Sequence, residues 1–233
     1  MYLQIAKEFE RTDTTLCFEY VKKGTEITEK LNQDDLSAKF YFIKAHAYDG
    51  VGKYKKATGI YQTCVKYAEK SNNILLLVKS HINIGATQYY YGKQNEALKN
   101  YKKSLKYSLQ LNDSKYIAKN YNNIALIYKA KGKYVDAIVY FHQSLDINTV
   151  IGNTKSVANT YINIGSIYWE QSNYKDAEIC YNKSAVIFNK TGNKKALADT
   201  YYKYRADTKS KKRYRNCFKI IQKSRIIMQT SQL

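Results

Sequence analysis

Apolar residues recur along this chain at steps of three and four, in paired stripes separated by a short polar break. Between residues 114 and 153 the first stripe is Ala118, Tyr121, Ile124, Ala125 and Tyr128, and the second is Tyr134, Ala137, Ile138, Phe141, Leu145 and Ile147. That spacing puts each set on one face of a helix, so it predicts two amphipathic helices in succession. The pair then returns every 40 residues. Tyr41, Tyr121, Tyr161 and Tyr201 share one column of the self-alignment, with His81 in the remaining place, and Ala57, Ala97, Ala137, Ala177 and Cys217 share another. A fixed period of about 20–50 residues marks a stacked repeat architecture, in which each unit buries its apolar face against its neighbours.

The breaks repeat as well. Gly52, Gly92 and Gly132 close the first helix of a pair; Gly152 and Gly192 close the second, with Asn72 and Asn112 in the same column. Asn73, Asp113, Asn153 and Asn193 follow, where the next helix needs an N-cap. Small residues hold two further columns, Ala45, Gly85, Ala125 and Gly165 in the first helix and Ala57, Ala97, Ala137 and Ala177 in the second. Helices crossing at roughly 8–10 Å require small side chains at the contact. The aromatics beside them (Tyr48, Tyr61, Tyr101, Tyr128, Phe141, Tyr168 and Tyr181) are expected to interlock with them, so much of the tyrosine content reads as structural.

The run Tyr121-Asn122-Asn123-Ile124-Ala125-Leu126-Ile127-Tyr128, followed by Gly132-Lys133-Tyr134, Ala137, Tyr140-Phe141 and Ser144-Leu145, resembles a tetratricopeptide repeat. The likeness is to the longer, 40-residue form found in kinesin light chains, Rap-type bacterial peptide receptors and the sensory halves of bacterial signalling proteins. It covers essentially the whole chain and is best in the third to fifth units. The proline that often closes the shorter form is missing, as the chain contains none. The resemblance implies an all-α, right-handed α-solenoid of about six antiparallel hairpins. Residues 1–233 would form one such solenoid, with units near 1–33, 34–73, 74–113, 114–153, 154–193 and 194–233. The first unit has a short opening helix and a turn at Arg11-Thr12-Asp13-Thr14. In the last, Arg205, Thr208 and Lys212 replace the small residue, the tyrosine and the glycine, as suits a terminal cap.

In tetratricopeptide repeat proteins the first helices line a concave groove. By that resemblance the lining columns here hold Lys39, Lys79 and Lys119; then Ile43, Asn83, Asn123 and Asn163; then Tyr89, Lys129 and Trp169; and also Phe42 and Ile82. Asn83, Asn123 and Asn163 are the sharpest candidates, because a primary amide both donates to and accepts from a peptide backbone. The alternative is that these amides tie neighbouring helices together. Lys79 and Lys119 beside them favour an acidic segment. Lys129 or any other single lysine can equally be a solvated surface residue, and Trp169 can pack between repeats as readily as it anchors a ligand.

The net charge is +20, and half of the excess falls in residues 194–233, which hold twelve Lys and Arg against two Asp and Glu. Lys209, Lys211, Lys212, Arg213, Arg215 and Lys219 make a dense basic patch there. A solvating end or a docking face for an acidic partner is the more ordinary reading than nucleic-acid binding, since no nucleic-acid module is visible and the tyrosines are mostly assigned to the core.

His46, His81 and His142 stand in different units and columns, without the spacing of a catalytic or metal site, and no phosphate-cradling glycine loop occurs. No enzyme, cofactor or metal is expected. Cys17, Cys64, Cys180 and Cys217 show no CxxC spacing and read as small buried thiols. Met1–Glu10 lacks a basic-then-apolar leader and no run of 18 apolar residues exists, so a cytoplasmic protein without a membrane span is expected. The leading reading is a non-catalytic scaffold that captures an extended, acidic segment of a protein or peptide partner. The alternatives are the sensory part of a bacterial signalling protein whose kinase or DNA-binding output lies elsewhere, and nucleic-acid binding by the basic C-terminal hairpin.

Overall fold

The computed structural model describes residues 1–207, with side chains as far as residue 200. These residues form eleven helices and no strand. They are α1 (Tyr2–Phe9), α2 (Thr14–Lys30), α3 (Asp34–Gly50), α4 (Tyr54–Lys70), α5 (Ile74–Tyr90) and α6 (Gln94–Gln110). They continue with α7 (Ser114–Ala130), α8 (Tyr134–Val150), α9 (Thr154–Glu170), α10 (Tyr174–Lys190) and α11 (Lys194–Asp207). The chain is all-α, and the helix starts repeat at 40-residue intervals, as the apolar pattern requires.

The turns keep this register. Gly92 sits at φ 72° after α5, where its N–H bonds to the Tyr89 carbonyl and Lys93 N–H reaches back to Gln88. This is the left-handed helix end that glycine adopts without a Cβ penalty. Where glycine is absent the same backbone persists: Asn72 and Asn112 lie at φ 52° and 53°, and Ser172 at φ 61°. The predicted caps form too, with the side chains of Asn73, Asp113, Asn153 and Asn193 accepting from the N–H groups of Leu76, Tyr116, Ser156 and Ala196. Asp13 caps α2 in the same way, through the N–H groups of Thr15 and Leu16.

The chain divides into two compact units, Met1–Lys133 and a second from Tyr134 onward. In the first, each helix packs on its successor, and α1, α3, α5 and α7 also pack side by side. In the second, α8, α9, α10 and α11 pack in sequence. Small-against-large packing builds both cores. Tyr61 is buried with Ala45 and Ala57, and Tyr181 with Ala158 and Ala177. A Cβ on Gly85 would come within 2.9 Å of the Tyr101 ring, and one on Gly24 within 2.1 Å of the Phe40 ring.

One column has a second purpose that its small size conceals. Cys64 Sγ donates to the Ala38 carbonyl (3.2 Å) and Ser104 Oγ to the Val78 carbonyl (3.0 Å), so a second helix is hydrogen-bonded to the first helix before it in successive repeats. Cys17, Cys64 and Cys180 are free and buried, and burial pushes each thiol up to about 11, which makes them unreactive at neutral pH. No helix among the described residues is long and apolar enough to cross a membrane.

Candidate functional site

The side-by-side packing of α1, α3, α5 and α7 creates one wall of first helices in the Met1–Lys133 unit. At its α1 end this wall holds a cavity of about 430 Å³ between α1, α3 and α5. Its floor is apolar, formed by Leu3, Phe42, Ile43 and Leu76, with Lys7 and Lys79 as lining cations. Neither lysine makes an ion pair among the described residues. Lys39, also on the cavity, is bonded to Asp35 at 2.6 Å, and Asp35 accepts from the Asn73 amide at 2.6 Å, so α3 and α5 are tied at the cavity edge. The Lys39 ammonium, with help from Asn73, holds the Asp35 carboxyl below the usual range.

The acid that lines the cavity is also occupied. Glu10 Oε1 lies 2.6 Å from His46 Nδ1, which fastens α1 to α3. The hydrogen bond to Glu10 raises the His46 pKa above its ordinary value, which favours the charged form of the pair. With Glu10 held by His46 and Lys39 by Asp35, Lys7 and Lys79 are the lining charges that make no ion pair among the described residues.

Of the residues singled out from the sequence, Lys79 is on this cavity, and Asn83 follows four residues on along α5. Asn83 is half-buried and its Nδ2 donates to the Tyr61 hydroxyl at 2.8 Å, so this amide does tie two helices. Its Oδ1 makes no hydrogen bond among the described residues. Lys119 and Asn123 occupy the equivalent positions of α7. Lys119 keeps an accessible side chain, yet burial of its ammonium and then the charge of Lys115 push it below the usual lysine range. Tyr89 is 39% exposed in the last turn of α5, and Lys129 is half-buried in α7.

Asn163 and Trp169 belong to α9 in the second unit. Asn163 is half-buried, with its backbone carbonyl accepting from Ser166 Oγ at 2.7 Å. The Trp169 ring lies 4.4 Å from that of Tyr174 and packs against the α9–α11 core. Lys209, Lys211, Lys212, Arg213, Arg215 and Lys219 lie outside the described residues. Leu3, Lys7, Glu10 and His46 were not legible as site residues: α1 is short and departs from the repeat, and Glu10 meets a histidine 36 residues away.

Helical pairs at a 40-residue period, capped and turned alike, point to one family, and sequence models confirm it. Models described as tetratricopeptide repeat match residues 38–71 and 116–190. The chain carries tetratricopeptide repeats.

Solved structures share this tetratricopeptide fold at low identity. A STAND signal-transduction ATPase with a tetratricopeptide repeat sensor, from Pyrococcus horikoshii, superposes with a TM-score of 0.78 and 19% identity over 100% of this chain and 36% of that one. BtubC (BKLC) from P. vanneervenii gives 0.73 and 17%, over 95% and 93%. A Rap protein complexed with competence and sporulation factor gives 0.59 and 16%, over 89% and 63%. The chain thus spans nearly all of BtubC but only part of the other two. No curated protein matches it at the level of sequence.

Proposed function

We propose that this tetratricopeptide repeat protein is a non-catalytic scaffold that holds an extended, acidic segment of a partner protein along the α1–α3–α5–α7 wall. The observation that carries the reading is the cavity with an apolar floor and two lysines, Lys7 and Lys79, that make no ion pair among the described residues. A cation that makes no ion pair gains from an incoming carboxylate, and apolar side chains of the same segment can fill the floor. Lys119 supports the same polarity: it is exposed on α7 near the like charge of Lys115, and an acidic neighbour would offset that repulsion. The amides of Asn83 and Asn123 stand beside these lysines, where they can bond a peptide backbone. In the second unit, taken by itself, Asn163 of α9 is the corresponding amide.

The test is an array of random peptides probed with the wild-type protein and with an Asn83→Ala, Asn123→Ala, Asn163→Ala variant. Selection of acidic peptides, weakened in the variant while helicity is retained, is the expected result. Binding without charge preference would overturn the acidic segment, and undiminished binding by the variant would remove the asparagines.

A second reading is favoured by the likeness to the STAND protein, whose repeats are its sensor. On that reading the same wall senses a ligand on behalf of an output domain. An output domain encoded in frame or in the adjacent gene supports it.

A further inference from the structure

Where α3 turns into α4 and α5 into α6, two exposed tyrosines meet a half-buried one, Tyr54. Tyr90 is 71% exposed and Tyr91 is 53% exposed. The Tyr54 ring lies 5.2 Å from that of Tyr90, and Tyr91 meets Tyr90 edge-on at 5.5 Å and 79°. The core columns do not explain Tyr90 and Tyr91, since among the described residues the buried tyrosines are Tyr61, Tyr101 and Tyr181. The surroundings are basic. Lys53, Lys55 and Lys56 flank Tyr54, and Lys93 follows Tyr91 and Gly92, all exposed. The next turn adds Lys131, bonded to Asn95 of α6, and the exposed Lys133. The acids on these stretches are Asp49 and Glu96, so the edge carries a clear positive surplus.

We propose that this turn edge binds single-stranded nucleic acid, with bases stacked on Tyr90 and Tyr91 and phosphates against Lys53, Lys55 and Lys93. Exposed aromatic rings interleaved with lysines combine the two elements such binding uses, a stacking platform and a cationic track. The strand must be single, because a duplex hides the faces of its bases from rings that protrude from a surface. An acidic protein segment would satisfy the lysines but leave the tyrosine faces unmatched. The proposal uses none of the cavity residues and stands independently of the peptide-binding reading.

The experiment is fluorescence anisotropy of a labelled oligothymidylate titrated with the full chain, at salt of about 50 and 200 mM. Y90F/Y91F keeps both rings and binds as the wild type. Y90A/Y91A, altered only at exposed positions, loses roughly five- to a hundredfold in affinity per stacked base. K53A/K55A/K93A lowers the slope of log affinity on log salt by about 2. Undiminished binding by Y90A/Y91A would overturn the proposal, because charge alone, including that of the C-terminal basic run, would then explain it. So would equal competition by polyglutamate of matched charge, or no binding at the lower salt.

Discussion

Two histidines of the first unit sit in opposite electrostatic settings, and they give stability an opposed pH dependence. His46 is paired with Glu10, which raises its pKa above the ordinary 6.5. A base whose folded pKa is raised contributes fully below its unfolded value, and the contribution fades as pH rises through the folded one. His81 is 4% exposed, its Nδ1 is 2.8 Å from Asn100 Oδ1, and its Nε2 has no partner. Because Asn100 Oδ1 can only accept, the ring proton resides on Nδ1. Burial lowers the pKa of His81, so the unfolded chain takes up its proton first and stability is lost as pH falls below the ordinary value. Urea denaturation across about pH 5 to 8 separates the two. Glu10→Gln is expected to destabilise at the acid end and to converge on the wild type at the alkaline end. His81→Phe keeps a ring to stack on Tyr107, 5.9 Å away, and removes the acid-side loss. A difference for Glu10→Gln that grows with pH would contradict the ion pair.

Within the helices, glycines of similar appearance have opposite consequences. Gly59 lies in α4 with nothing within 4 Å of a built Cβ, so Gly59→Ala is expected to stabilise by about 0.5–1 kcal/mol through helix propensity. Gly24 has the ring of Phe40 at 2.1 Å, and Gly24→Ala must displace a buried aromatic, costing about 1–3 kcal/mol that propensity does not recover. At the end of α9, Ser172 stands at φ 61° where the equivalent turns use Gly52, Gly92 and Gly132. Ser172→Gly should raise stability by about 1 kcal/mol by removing a left-handed side chain. Thermal denaturation of the three variants checks all three signs. Removing the Asp113 cap of α7 by Asp113→Ala costs about 1 kcal/mol in the same assay.

Over the molecule, what could be read in the sequence was what local chemistry decides. Gly92 and Asn72 fix turns, and Asn73 and Asp113 cap helices, through bonds that span a few residues, so the 40-residue period carries the whole register. The resemblance implied a shared first-helix lining for Lys39, Phe42, Ile43 and Lys79, and these four line one cavity. The cavity itself was not legible, because it depends on α1 and on contacts such as Glu10 to His46 and Asn73 to Asp35 that no periodicity encodes. Nor was the link from Asn83 to Tyr61, which follows from the packing of α5 on α4. Tyrosine content misled in part: Tyr61, Tyr101 and Tyr181 are core, while Tyr90 and Tyr91 stand in solvent.

The account turns on a cationic, apolar-floored wall that receives an acidic segment. Calorimetric titration of an array-selected acidic peptide into the wild type and into K7E/K79E tests it most directly. The charge-reversed protein should lose more than about tenfold in affinity for that peptide and recover binding when the acids of the peptide are changed to lysine. Equal affinity of both proteins for the acidic peptide, with helical content unchanged, would place the partner elsewhere.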